Sequence, residues 1–319
     1  MAGPLGGIRR FTDQLVLALR EQFPEDQYVL VSDQFLPHPV GLEKRWWLYG
    51  LNRALAKQGA QLFHGTDFAV PYLSRRPSVM TVHDLSPWRE PTRENARVRS
   101  RTSMLLALRV PGMIHTPTEA IREEVIDRFK WPKDRIVAIP LAAATHFAPS
   151  ESETEPYFLY LGTMEKRKNL GVLREAIDLL WKQGCRVPLW LAGQVREGYE
   201  MPSHEGIRYL SRQEEGELPK LLSNACAVLY PSTYEGFGLP ILEAMHCGAT
   251  VVVSNIAAHR EVAGRAALFA SPYDAAQWAQ QMLAAIETRR RELSLQQAAK
   301  YSWKETAMRM REVYQEMIG

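Results

Sequence analysis

Two glutamates eight positions apart, Glu235 and Glu243, flank the glycine-bearing turn Gly236-Phe237-Gly238-Leu239. The apolar run Ala225–Tyr230 reads as a buried strand, and Pro231-Ser232 turns the chain out at its carboxyl edge. Gly236 and Gly238 free the backbone to approach a ligand closely. Pro240 suits the first turn of a helix that ends at Cys247 and is capped by Gly248. The start of such a helix leaves N–H groups unpaired under the positive end of a dipole, a ready place for a phosphate. A carboxylate next to a phosphate is useful when it faces hydroxyls. Two acids flanking the turn therefore suggest a sugar beside one and a ribose beside the other. The residues alone leave open a capped strand–turn–helix that binds nothing.

Other groups could join this chemistry. Lys166-Arg167-Lys168 lies at a second strand–helix junction and could neutralise a phosphate or be a solvated basic turn. His83 and Asp84 follow a strand ending at Val82. A histidine there can hydrogen-bond a sugar hydroxyl or carry a proton near neutral pH; it can equally be a satisfied strand-end residue. His64 and Asp67 sit in a short loop sequence, Phe63-His-Gly-Thr-Asp-Phe, and His246 and Cys247 are assigned to helix packing. Lys44-Arg45-Trp46-Trp47 and the Arg97–Arg109 segment mix basic with large apolar residues. Such patches can dock at an anionic bilayer or be a core-facing stripe with a solvated basic face.

These groups need elements to hold them. In 319 residues, 46% hydrophobic and 24% charged, there is room for two soluble globular domains. Strand-like runs alternate with helical patterns almost throughout, which predicts an α/β fold with parallel sheets and crossover helices. The first half is expected to carry a helix over Ile8–Glu21 and strands at Tyr28–Val31, Gln61–Phe63, Ser78–Val82, Met113–His115 and Arg135–Ile139. A Ser-, Glu- and Pro-rich stretch around His146–Pro156 reads as a linker. Beyond it, strands are expected at Tyr157–Leu161, Pro188–Ala192, Ile207–Leu210, Ala225–Tyr230, Thr250–Val253 and Ala267–Phe269, with one long helix from Asp274. The domains are predicted as 1–148, 149–301 and a C-terminal helix, 302–319, packing back on the first. No run approaches the length a bilayer-spanning helix needs, and no signal peptide is evident, so a cytoplasmic place is expected. The net charge of +3 calls for no nucleic acid, and three scattered cysteines read as reduced and structural.

The text around the two glutamates resembles glycosyltransferase family 4, the glycosyl transferases group 1 family, in which E-x7-E marks retaining enzymes of the GT-B architecture. The resemblance extends over almost the whole chain: Thr81-Val-His-Asp-Leu, Tyr160-Leu-Gly-Thr-Met-Glu-Lys-Arg-Lys-Asn-Leu, Leu191-Ala-Gly, Val253-Ser-Asn, Glu261-Val-Ala-Gly and Ser302-Trp. It implies two Rossmann-like domains facing across a cleft. It implies a retaining transfer of a hexose from a nucleotide-diphosphate sugar, the only co-substrate, with no obligatory cofactor or metal. Glu235 would contact the donor hexose and Glu243 the ribose. The amides of Gly236, Phe237, Gly238 and Leu239 would bind the diphosphate, and Lys168 would neutralise it. The family usually has an arginine where this chain has Thr163, and Arg167 is the nearest replacement. His83 would lie by the donor sugar. His64, Asp67 and Asp84 would lie on the acceptor side, and Gly6 and Gly7 would approach the phosphates.

The family also begins with a buried strand before that glycine loop, whereas this sequence starts in the loop. The first domain is expected to lack its first strand, as in a chain truncated at a misassigned start. The text is most similar to mannosyltransferase-like members, which favours GDP-mannose and a glycan or lipid-linked acceptor, with peripheral contact at the inner membrane face. A UDP-sugar transferase, a nucleotide-sugar epimerase or phosphorylase on the same architecture, and a catalytically impaired sugar-nucleotide binder remain as alternatives.

Overall fold

The computed structural model describes residues 7–31, 46–89, 91–150, 152 and 154–319. They form two compact units, one of residues 1–141 with 302–319, the other of residues 142–301.

The first unit holds α1 (Gly7–Gln22), α2 (Leu51–Lys57), β1 (Phe63–Gly65), β2 (Ser78–Thr81), α3 (Ser86–Arg89), α4 (Ala96–Ala107), β3 (Met113–Thr116), α5 (Glu119–Phe129) and β4 (Ile136–Ala138). Its four strands are parallel and lie in the order β1-β2-β3-β4. Thr118 caps α5 by accepting from the Ile121 amide, and Lys130 ends it in the left-handed region at φ 49°.

Tyr28–Val31 is not a strand; it runs as irregular chain with Val29 52% and Leu30 44% exposed. None of the described strands β1 to β4 pairs with this stretch, and a strand without a partner is not stable in water.

The second unit holds β5 (Phe158–Leu161), α6 (Leu170–Lys182), β6 (Leu189–Ala192), β7 (Ile207–Leu210), α7 (Leu218–Asn224), β8 (Ala227–Tyr230), α8 (Leu239–His246), β9 (Val251–Ser254), α9 (Ala257–Ala263), β10 (Leu268–Ala270), α10 (Ala275–Glu287) and α11 (Arg291–Ala298). The long helix expected from Asp274 is two. Thr288 adopts an extended conformation, φ −134° and ψ 98°, where the helical ladder cannot continue. The sheet order is β10-β9-β8-β5-β6-β7, all parallel. The order reverses between β5 and β8, the place where doubly wound sheets bind ligands at their carboxyl ends. The four residues each of β8 and β9 are buried throughout, as a sheet covered on both faces requires.

The last helix, α12 (Trp303–Ile318), belongs to the first unit and packs along α1. A buried polar chain ties it to the sheet. The Ile139 carbonyl can only accept, so His115 Nε2–H donates to it at 2.9 Å. Neutral His115 then accepts at Nδ1 from the Thr81 hydroxyl, 3.0 Å away. Thr81 in turn accepts from His64 Nε2–H at 2.7 Å, and His64 Nδ1 accepts from the Tyr314 hydroxyl at 2.6 Å. Every donor along this line has one acceptor, and only one proton order satisfies it. Phe11, fully buried, fills the space beside it, stacked on His115 at 5.7 Å and edge-on to His64 and His83.

Candidate active site

Two loops leave the second unit's sheet at its switch point, Gly162–Asn169 after β5 and Pro231–Gly238 after β8. They are stitched together by backbone: the Thr233 amide donates to the Arg167 carbonyl at 3.0 Å. Asn169, left-handed at φ 53°, donates its side-chain amide to the carbonyls of Pro231 and Pro272. The first loop is braced from the other side by the loop after β6. The Met164 amide donates to Gln194 O at 2.7 Å and the Arg196 amide to Met164 O at 2.9 Å. Gly193 makes this approach possible, because a Cβ there would stand 2.0 Å from the Gly162 carbonyl oxygen.

The loops bring Glu235, Arg167 and Lys168 together. Arg167 donates from Nη1 to Glu235 Oε2 at 2.7 Å and to the Tyr234 carbonyl at 3.0 Å. The Lys168 ammonium donates to the other oxygen, Glu235 Oε1. Burial alone would raise the Glu235 carboxyl, but Lys168 and Arg167 override it and hold it well below the usual carboxylate range. Thr163 is exposed and lends only its backbone, its carbonyl accepting from the Tyr160 hydroxyl at 2.8 Å. The guanidinium at this junction is that of Arg167, beside the Lys168 ammonium.

Beyond Glu235 the chain enters α8 through Gly238, left-handed at φ 101° and ψ 48°, a conformation L side chains rarely adopt. No side chain caps this helix, and Pro240 has no N–H to offer. The helix start therefore presents main-chain N–H groups beside Glu235, Arg167 and Lys168. Phe237 is 5% exposed and stands edge-on to Tyr301. Glu243 is the fifth residue of α8, on its second turn, and 4% exposed. It lies near the Tyr230 hydroxyl, which donates to the Pro240 carbonyl at 3.0 Å.

Three residues here were not anticipated. Glu165 accepts from Arg167 Nη2 at 2.8 Å and from Arg196 Nη1 at 2.7 Å. His259 in α9 is 1% exposed, with Nδ1 on the Ser254 carbonyl at 3.1 Å. Burial pushes its pKa down to about 4, against the opposing pull of Glu235, so the ring is neutral. A Cβ at Gly238 would meet the His259 ring at 3.7 Å.

The candidates of the first unit divide. His83 donates from Nε2 to the Thr66 carbonyl at 2.8 Å, which leaves Nδ1 as a lone acceptor; burial holds its pKa below the usual value. Asp67 lies in the field of His83 and Arg101. His64 corrects the acceptor-side expectation, because both ring nitrogens are committed to Tyr314 and Thr81 and neither can reach a ligand. Asp84 is likewise engaged, its Oδ1 accepting from the Ser86 amide and hydroxyl at the start of α3. Gly7 opens α1 and is exposed; Gly6 lies outside the described residues. Of the bilayer patches, Trp46 and Trp47 are half-buried, Arg101 lies over the Trp47 ring at 5.1 Å, and Leu105 and Leu106 are buried; Lys44 and Arg45 lie outside the described residues. Among the described residues no helix is long and apolar enough to cross a membrane, and no cluster of three or more His, Cys, Asp or Glu could hold a metal ion.

Known proteins match on both halves. The model of the family described as glycosyl transferases group 1 matches residues 143–302, and that of Glycosyltransferase Family 4 matches residues 6–146. The O-antigen chain mannosyltransferase B of Escherichia coli is 35% identical over 309 residues, covering 88% of this chain and 78% of that protein. The O-antigen chain mannosyltransferase RfbU of Salmonella typhimurium is 26% identical over 244 residues, covering 73% of this chain and 68% of its own length. Among solved structures, Anabaena HepE, in complex with UDP and glucose, superposes with a TM-score of 0.74 at 15% identity, covering 99% of this chain and 98% of that one. WaaG, a glycosyltransferase involved in lipopolysaccharide biosynthesis, gives 0.70 at 14% identity, covering 98% and 96%. The fold is thus that of GT-B glycosyltransferases, α/β with two parallel sheets. Matched along both halves, and carrying the glutamate-bearing turn at the switch point of its second sheet, the chain belongs to glycosyltransferase family 4, the glycosyl transferases group 1 family, and is a glycosyltransferase.

Proposed function

We propose that this protein transfers mannose from GDP-mannose to a glycan or lipid-linked acceptor with retention of anomeric configuration. The observation that carries the reading is the convergence of Arg167 and Lys168 on Glu235 beside the uncapped start of α8. Two cations and a helix dipole suit a diphosphate leaving group, and the buried carboxylate suits sugar hydroxyls. The preference for mannose rests on the two O-antigen mannosyltransferases to which the chain is similar.

In this reaction the bond from the anomeric carbon to the diphosphate oxygen breaks and its electron pair leaves with the diphosphate. The acceptor hydroxyl bonds to that carbon from the same face and its proton passes to the departing phosphate oxygen. Lys168, Arg167 and the amides of Phe237, Gly238 and Leu239 offset the charge that develops there. Glu235 orients the hexose and Glu243 holds the ribose. His83, neutral and with Nδ1 open, serves the transferred sugar as a hydrogen-bond acceptor.

Proton NMR of the glycan formed from GDP-mannose tests this: an α-anomeric product signal from the α-configured donor is expected, and a β signal overturns retention. For an acceptor at an anionic bilayer, contact would fall to the groove of about 930 Å³ lined by Tyr49, Arg53, Leu73, Arg75, Arg76 and Ile318. Sedimentation with anionic but not neutral vesicles is expected; equal sedimentation removes this part of the proposal.

A further inference from the structure

The carboxylate Glu165 plays no part in the chemistry above, yet it bridges two of the site's arginines, Arg167 and Arg196. Five charged groups follow one another in a row: Arg196, Glu165, Arg167, Glu235 and Lys168. Glu165 is 13%, Arg167 18%, Glu235 14% and Lys168 17% exposed at the side chain, whereas Arg196 at the outer end is 57% exposed. Burial acts to raise the Glu165 carboxyl, and Arg196, Arg167 and Lys168 together bring it below its usual value, so it is ionised. Three cations against two carboxylates leave the row one positive charge in excess.

We infer that Glu165 is a positioning residue that keeps Arg167 at the diphosphate site when a donor draws Glu235 away, and that it limits how tightly the spent nucleoside diphosphate is held. The inference rests on the donor-site reading above. In the structure the Arg167 guanidinium is shared, Nη1 on Glu235 and Nη2 on Glu165. Once Glu235 turns to sugar hydroxyls, Glu165 is the carboxylate that remains. The Arg167 backbone is already fixed by the Thr233 amide, so the side chain alone has freedom to lose. Arg196 holds Glu165 from a loop registered to it by the Met164 pairing.

Both roles act on the same variant with opposite signs. Glu165→Gln keeps the size and a hydrogen-bond acceptor but removes one negative charge beside the diphosphate. Partly buried charges are weakly screened, so GDP and UDP should bind about three- to tenfold more tightly. Arg167, held by a neutral amide oxygen instead of a carboxylate, should be positioned more weakly and lose transition-state contacts, and turnover should fall about tenfold while KM for the donor also falls. Arg196→Gln removes a positive charge at an exposed position and should weaken GDP and UDP binding. Calorimetric titration of GDP and UDP into the full-length wild-type protein and both variants, with donor kinetics alongside, decides it. Tighter binding by Glu165→Gln, weaker binding by Arg196→Gln and a joint fall in kcat and KM support the inference. Binding that weakens or stays unchanged in Glu165→Gln overturns it, as does any shift of both variants in one direction. Should the wild-type protein bind neither nucleotide, the donor-site reading itself fails, an outcome distinct from these.

Discussion

Glu235→Gln is expected to lower sugar transfer about 10²–10³-fold, the scale on which removing one preorganised polar contact to a transition state acts. Nucleoside diphosphate binding should survive, and should strengthen. The substitution keeps the shape of the side chain and removes the charge that Arg167 and Lys168 now share. Both cations then face a diphosphate without an internal competitor, so ground-state affinity rises. The hexose loses the ionised acceptor that orients its hydroxyls, so the chemical step slows. Initial rates at saturating donor, together with calorimetry of GDP, separate the two effects. Equal losses in binding and turnover would mean that Glu235 serves only to hold the loops together.

Acid should unfold the protein well before its carboxylates protonate. Burial holds His115 down to about 3 and His259 down to about 4, and His64 well below the ordinary histidine value of 6.5. A histidine with its folded pKa depressed is neutral in the native state and protonated in the unfolded chain between the two values. Its contribution to stability is complete above 6.5 and is lost as pH falls. At pH 5 His115 and His259 each cost about 2 kcal/mol, from roughly 1.5 pH units at 1.36 kcal/mol each. The proton order of the Tyr314–His64–Thr81–His115 chain opposes charge on His64 and His115 in place. Protonation would turn His115 Nδ1 into a donor, and the Thr81 hydroxyl proton, which now goes to that nitrogen, would lose its acceptor. Since His115 and His259 belong to different units, both should weaken. Differential scanning calorimetry from pH 7.5 to 5 should show the midpoint falling steadily below 6.5. A flat midpoint across that range contradicts the buried neutral assignment.

The sequence carried the second unit well because its signals are local. Ala225–Tyr230, the two glycines and Pro240 specify strand, turn and helix start within some twenty residues, which puts Glu235 at the carboxyl end of β8. The remainder depends on long-range pairing. Glu165 and Arg196 are 31 positions apart and meet only because β5 and β6 are neighbours. Nothing in Lys166-Arg-Lys168 distinguishes a solvated basic turn from a row of ion pairs until the β8 loop is laid beside it. His64 was misread for the same reason: its partner Tyr314 lies 250 positions away. Tyr28–Val31 has the composition of a strand and pairs with none of the described strands, which composition cannot show. Glu243 lies one position further into the helix than the sequence suggests, because Leu239 rather than Pro240 opens it.

The central claim is that the switch point of the second unit holds a nucleoside-diphosphate sugar, with GDP-mannose favoured. A thermal-shift panel of GDP-mannose, GDP, UDP-glucose and UDP, run on the wild-type protein and on Lys168→Ala, tests it most directly. GDP-mannose and GDP should raise the wild-type midpoint, and Lys168→Ala should lose most of that rise. Stabilisation by UDP-glucose and UDP but not by the guanosine compounds contradicts the donor assignment. Stabilisation of Lys168→Ala as strong as that of the wild type contradicts the site itself.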